Sequence, residues 1–460
     1  MNQPQYKWDE RHAQIFNDTI EALDKLCIRY IVLRNYEGLP EKNESKDVDL
    51  IIEPGKYRIA AECLYKALKK NCVSRYYVVK YERVRCWLGM DLENDFSIHI
   101  DLIEGYLNKG FEIFTFDELY KHTCQYKNMK VLDDEMDTVM LLLYKVIGCK
   151  ELKQRYREKI EVQYKLHPEA INNILSVALC GRVYYDLIQS LKNSNFDRII
   201  EYAGKISKNS KHKSWKKRPF NTTINILKFL FEKLYRIGWC PEKYKKMIAV
   251  EAPDGTGKTT FIDAMSVKLA EMFVTDISKM NVYHFRPTLL PNLGAVGEKA
   301  TAGKVKQDTD FTNPHRNPPA NPVSSFIRML YYWLDYVIGG FICIRKDVQF
   351  DKFTIFDRYI YDFIVDPFRS RINLPLWLRK FFAQCVYNPQ IVFVLLCDAE
   401  IVYKRKQELT IEEIERQMKV FKDLTTMGKN FYILDASKKP DELCHDAVMK
   451  ILEQYTSEVK

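Results

Sequence analysis

The 460-residue sequence has no CxxC pair and no Cys/His group at zinc spacing, although it carries twelve cysteines. They are scattered singly from Cys27 to Cys444, which excludes a disulfide framework and the common zinc modules. The eight histidines are equally dispersed, so no metal site is expected from them. No stretch resembles an export signal: MNQPQYKWDE is polar and lacks an apolar centre. Reduced, mostly buried thiols and a cytoplasmic location are therefore expected. The longest apolar run, residues 329–344, is short for a bilayer and is interrupted by Asp335, so a buried helix is expected and no membrane span. Internal repeats are absent, which excludes solenoids and propellers. Only 17 glycines occur in the chain, so two within three residues, Gly255 and Gly257, stand out.

With 47% hydrophobic and 29% charged residues, the chain can fill separate cores, and its length suggests two or three domains. The net charge of +10 concentrates in one acid-free run, Lys205 to Arg218. Such a run could touch nucleic acid or anionic lipid; a solvated linker is the simpler reading, and nucleic acid is not an expected partner. The pattern gives an α+β region over 1–132, a helical segment over 133–202, a basic linker and lead-in helix over 203–243, and an α/β region over 244–460. In the first region Phe16, Ile20, Leu23 and Cys27 share a helical face, as do Ala60, Leu64 and Leu68. Met136, Val139, Met140, Leu143 and Val146 recur at helical spacing in the second.

From Lys246 onward, short apolar strands at MIAV, 281–285, 353–356, 391–397 and 431–434 alternate with helices. That argues for a five-stranded parallel sheet covered on both faces. The stretch 287–323, rich in Pro, Gly and Asn, reads as a functional loop or disordered segment. The sequence MIAVEAPDGTGKTTF is a strand, a tight turn and a helix start. Gly255 and Gly257 allow the backbone N–H groups of the turn to converge on phosphate oxygens. Lys258 reaches the β- and γ-phosphates, and Thr259 offers a hydroxyl to Mg²⁺. Thr256 and Thr260 complete the cradle, and the helix directs its positive end at the anion. Ala252 stands where the pattern GxxxxGK[ST] has glycine.

The form DGTGKTT, followed in order by HFRP (284–287), FDRY (356–359), VFVLLCDAEIVYKRKQE and FYILDAS, resembles thymidylate kinases and their close nucleotide-kinase relatives. The likeness covers about 215 residues. It implies a P-loop kinase domain that uses Mg²⁺ and ATP. Within it Asp357 would hold Mg²⁺ through water or receive the acceptor proton. Arg358 and Arg286 would grip an anionic acceptor, Asp254 would face it, and Lys404, Arg405 and Lys406 would belong to a lid. Asp362 and Asp366 read as substrate contacts or helix caps. The family carries Asp-Arg on a long helix, whereas here Asp335 is followed by Tyr336. That lost cation turns the expectation from dTMP toward another small acceptor: nucleotide, sugar or polyol. The whole chain resembles thymidylate-kinase-like proteins encoded among bacterial polysaccharide genes, and homodimerisation is left as an open expectation. A dTMP kinase with an accessory domain, and a nucleotide-gated binding protein using the basic run on nucleic acid, are the alternatives.

In the N-terminal region DVDLII places Asp47 and Asp49 on one side of a strand, and HIDLIEG adds Asp101 on another. Three carboxylates at neighbouring strand ends suit two Mg²⁺ ions and nucleotidyl transfer. The layout LRNYEGLP…DVDLII…IHIDL resembles polymerase-β-type nucleotidyltransferases, over about residues 10–150. Arg34 and Asn35 occupy the place where that family has a glycine-containing pair. Both activities in one chain would turn an acceptor into a phosphate ester and then into a nucleotide-activated compound.

Overall fold

The computed structural model of the chain describes residues 6–238, 245–291, 320–407 and 409–460. It contains two compact units, Tyr6–Leu234 with Ser457–Lys460, and Tyr235–Thr456. The division falls within the helix Pro219–Gly238, ahead of the expected start at 244.

The first unit is built on a mixed sheet of eight strands. These are β1 (Tyr30–Leu33), β2 (Val48–Ile52), β3 (Arg75–Tyr81), β4 (Val84–Asp91), β5 (Phe96–Glu104), β6 (Thr123–Tyr126), β7 (Met129–Leu132) and the short β13 (Ser457–Glu458). Their order is β13-β3-β4-β5-β2-β1-β7-β6, with β2–β5 and β1–β7 parallel. Alternate side chains point to opposite faces. Leu50, Ile52, Ile100 and Leu102 join Phe16, Ile20 and Leu64 in one core. Ile31, Leu33, Ile51 and Ile103 join Met136, Val139, Leu143 and Val146 in the other. Burial on both faces explains why β1 and β2 read as almost unbroken apolar runs. Asp49 is the exception inside β2 and marks the site described below.

Four expectations need correction. The thiols are not mostly buried: of the eleven described cysteines only Cys63 and Cys444 are buried, and six are exposed. Cys27 does not share the buried face of the first helix: the helix ends at Lys25, and Cys27 is an exposed residue at φ +53°. The basic run is not a linker; Ala203–Lys217 is a helix. Three of its cations bond within the first unit: Lys213 donates to Leu179 O at 2.8 Å, Arg218 to Glu112 O at 2.9 Å, and Lys217 pairs with Glu118. The helix around Asp335 is longer than its apolar run: the helical stretch spans Pro322–Gln349, 28 residues. By length and composition it could cross a bilayer, and about a third of its most apolar stretch is buried in the protein. Met329 and Tyr336 are part of the second unit's core, as the reading of a buried helix required for that face.

The second unit contains β8 (Met247–Glu251), β9 (Met280–His284), β10 (Phe353–Asp357), β11 (Ile391–Leu396) and β12 (Phe431–Asp435). They form an all-parallel sheet in the order β12-β11-β8-β10-β9. β8 lies in the centre and pairs with β10 on one side and β11 on the other, so the connections leaving its C-terminal end diverge there. In open α/β sheets this switch point is where ligands bind. Every residue of β8, β10 and β11 is buried, as strands covered on both faces require. Of the stretch 287–323, residues 292–319 lie outside the described residues.

Candidate functional site

At the C-terminal end of β8 the chain turns through Ala252–Gly257 and enters the helix Lys258–Met272. Gly255 and Gly257 have φ of +90° and +88°, conformations that side-chain-bearing residues rarely adopt. A Cβ at Gly255 would also sit 3.1 Å from the carbonyl oxygen of Val402. Ala252 is buried and takes no positive φ, so its methyl group is accommodated and the departure from glycine leaves the turn intact. Thr256 closes the turn by donating its hydroxyl to Pro253 O at 2.9 Å. Thr259 and Thr260 are exposed in the first turn of the helix.

Lys258 folds back from the helix start onto Asp357, the last residue of β10, which pairs beside Val250 of β8. The other carboxylate oxygen of Asp357 lies 2.8 Å from His284 Nδ1, at the end of β9. Burial and the neighbouring Arg358 guanidinium lower the pKa of Lys258 against the pull of Asp357. Arg358, at φ +70°, is buried and donates to Asp362 at 2.7 Å and to Asp254. Asp254 also pairs with Arg369. Burial alone would raise the Asp254 pKa, but the two guanidinium groups outweigh it and hold the carboxyl at about 2. Arg405 donates to Thr256 O at 3.4 Å, and it lies with Lys404 and Lys406 on an exposed segment beside the turn.

Several participants lie beyond the motif residues. Glu251, fully buried at the end of β8, accepts from Tyr359 N at 2.7 Å through one carboxyl oxygen, and the other has no hydrogen-bond partner. Burial, reinforced by Asp362, raises its pKa strongly. An acidic residue ending an apolar strand, MIAVE, is a signal the sequence offered. His284 also stands within the quoted HFRP, but Arg369 has no such signal. Asp366 serves as a cap, accepting from Arg369 N at 3.4 Å.

Arg286, Asp335 and Tyr336 converge on one another. Arg286 donates to Asp335 at 2.8 Å, and Asp335 also accepts from Thr288 N at 3.2 Å and Leu290 N at 2.7 Å. Tyr336 donates its hydroxyl to Phe285 O. The cation absent from the position after Asp335 is thus matched by one from the β9 loop, and this buried carboxylate ties down residues 286–290.

In the first unit Asp49 and Asp101 are direct partners across β2 and β5. The carboxylates of Asp47, Asp49 and Asp101 lie within 4.8 Å of one another, as the strand reading required. Arg34 bonds Asp49 Oδ2 at 2.7 Å and stacks 4.2 Å over the ring of Tyr144. Arg34 and Asn35 have φ of +27° and +56°, so the backbone takes the left-handed conformation even though neither residue is glycine. Burial, only partly offset by Arg34, pushes Asp49 up to about 6.

No protein-family model matches the chain, and no curated protein matches it. Among solved structures, a thymidylate kinase from Ehrlichia chaffeensis aligns over 45% of this chain and 97% of its own, at 16% identity and a TM-score of 0.30. The fold stands on the strand order and on the turn between β8 and its helix.

Two outcomes follow from the carboxyl groups. Asp254 has a depressed pKa, so its stabilising contribution is complete above the unfolded value near 4 and is lost as pH falls toward 2. Urea denaturation at pH 6 and pH 3 should show Asp254→Asn losing less stability on acidification than wild type, by about 2 kcal/mol at most. Glu251 has a raised pKa, so it costs stability as pH rises above its unfolded value. Glu251→Gln should therefore raise the urea midpoint at pH 8 and leave it nearly unchanged at pH 4. A lowered midpoint at pH 8 would contradict the raised pKa.

Proposed function

We propose that the second unit is an ATP-dependent phosphotransferase acting on a small acceptor. The observation that carries this reading is the placement of Lys258 and Asp357 together at the open end of a parallel sheet, beneath a turn with two left-handed glycines. The residues present fit Mg-ATP. A Cβ on Gly257 would meet nothing within 4 Å, so the outer side of the turn is open. The N–H groups that begin the helix would point at a phosphate bound there. Thr259 would hold Mg²⁺ through its hydroxyl. Bound Mg²⁺ neutralises charge on the β- and γ-phosphates.

The chain's own groups do the remainder. Lys258 exchanges the Asp357 carboxylate for a phosphate oxygen, which frees Asp357 to accept a proton from the acceptor hydroxyl. Arg405 stands beside the turn, where it adds a cation to the developing charge. Asp254, fixed by Arg358 and Arg369, orients the acceptor. Arg286, Arg358 and Arg369 each spend bonds on Asp335, Asp254 or Asp362. That favours an acceptor which presents a hydroxyl without a phosphate of its own, such as a sugar or polyol, over a nucleoside monophosphate.

The decisive assay is ADP release against nucleoside monophosphates, sugars, sugar phosphates and polyols. Acceptor-dependent release is expected, and Asp357→Asn should slow it by about 10²–10³-fold, the loss typical of a group acting on transition-state charge. ATP binding without release for any acceptor would favour a nucleotide-gated binding protein instead.

For the first unit, the carboxylate trio supports nucleotidyl transfer as a second activity. Pyrophosphate release from a nucleoside triphosphate and a sugar phosphate should be seen with wild type and lost in Asp47→Ala. Absence of pyrophosphate from wild type with every triphosphate would remove this reading.

A further inference from the structure

One cluster in the first unit combines donors that the all-oxygen trio does not use. In the antiparallel pair β4–β5, Cys86 stands directly opposite Asp101. His99 lies two residues from Asp101 on the same strand and so on the same face. Its Nε2 lies 2.8 Å from Asp101 Oδ1. A sulfur, an imidazole nitrogen and a carboxylate oxygen from these three residues fall within 4.8 Å of one another. The His99 and Asp101 side chains are 16% and 13% exposed and Cys86 is half-buried, so the group is largely shielded from solvent. On the far side of Asp101, Asp49 has Oδ2 taken by Arg34.

We propose that Cys86, His99 and Asp101 bind a divalent transition-metal ion of the zinc type. A thiolate, an imidazole and a carboxylate form the mixed borderline set that zinc accepts in tetrahedral sites, whereas Mg²⁺ takes oxygen ligands almost exclusively. Three protein ligands leave the fourth position to water or to an oxygen of a bound molecule. Binding releases the thiol proton of Cys86 to solvent and changes no oxidation state. Asp101 belongs to both trios, so an ion held here bears directly on the carboxylates assigned to nucleotidyl transfer. The site does not depend on the kinase reading. It escaped the sequence because its ligands come from neighbouring strands, and the spacing 86…99…101 matches no linear zinc pattern.

The test uses the full-length chain, stripped with chelator, desalted and titrated with Co²⁺. One equivalent should bring up the near-ultraviolet thiolate-to-cobalt charge-transfer band. Zn²⁺ should displace it, and excess Mg²⁺ should not. Cys86→Ser should abolish the band, His99→Gln should weaken Co²⁺ binding by at least about 100-fold, and Asp47→Ala should leave the band in place. No band in wild type, or a band of full intensity in Cys86→Ser, overturns the proposal. If Cys86→Ser fails to fold by circular dichroism, wild-type Co²⁺ affinity in His99→Gln overturns it equally. Pyrophosphate release is read separately, so failure of the metal site and failure of nucleotidyl transfer are distinguishable.

Discussion

The second unit depends on one adjacency: the ends of β8 and β10 lie side by side, and the first residue of the helix after β8 reaches the last residue of β10. That adjacency follows from parallel pairing in register, Val250 beside Asp357. It places a lysine ammonium and a carboxylate in a buried setting where each depends on the other. Losing one partner of such a pair leaves an uncompensated charge, a cost of about 3–5 kcal/mol. An anionic ligand can replace the carboxylate as partner, and that exchange links the packing of the strands to chemistry. The second layer repeats the logic. Asp254 is held by Arg358 and Arg369, Arg358 by Asp254 and Asp362, and the buried Glu251 interacts with both Arg358 and Asp362.

Much of this was legible in the residues because the chemistry is local. Gly255, Gly257, Lys258 and Thr259 lie within five positions, and the strand before and helix after them follow from apolar runs. The five strands of the second unit lie within a residue or two of the runs that announced them. The two-residue alternation of DVDLII also brought Asp47 and Asp49 to the same place as Asp101. What was not legible is long-range. Arg369 and Asp254 are 115 positions apart and meet only through tertiary packing. Arg286 and Asp335 are 49 positions apart and become a pair through tertiary packing. Cys86 reaches Asp101 through the register of β4 and β5.

Composition misled where packing overrode it. The basic run 205–218 reads as solvated because no acid interrupts it, yet the acids and carbonyls that engage three of its cations, Glu112, Glu118 and Leu179, come from distant segments. The apolar stretch around Asp335 reads as too short to span because a charge interrupts it. In the folded unit that charge is neutralised by Arg286, and the helix continues on both sides.

The most direct measurement of the central claim is calorimetric titration of the whole protein with Mg-ATP. One binding event per chain is expected, absent in Lys258→Ala while the variant keeps its wild-type circular dichroism. No heat from wild type, or the same isotherm from the folded Lys258→Ala variant, would contradict a triphosphate cradle at the end of β8.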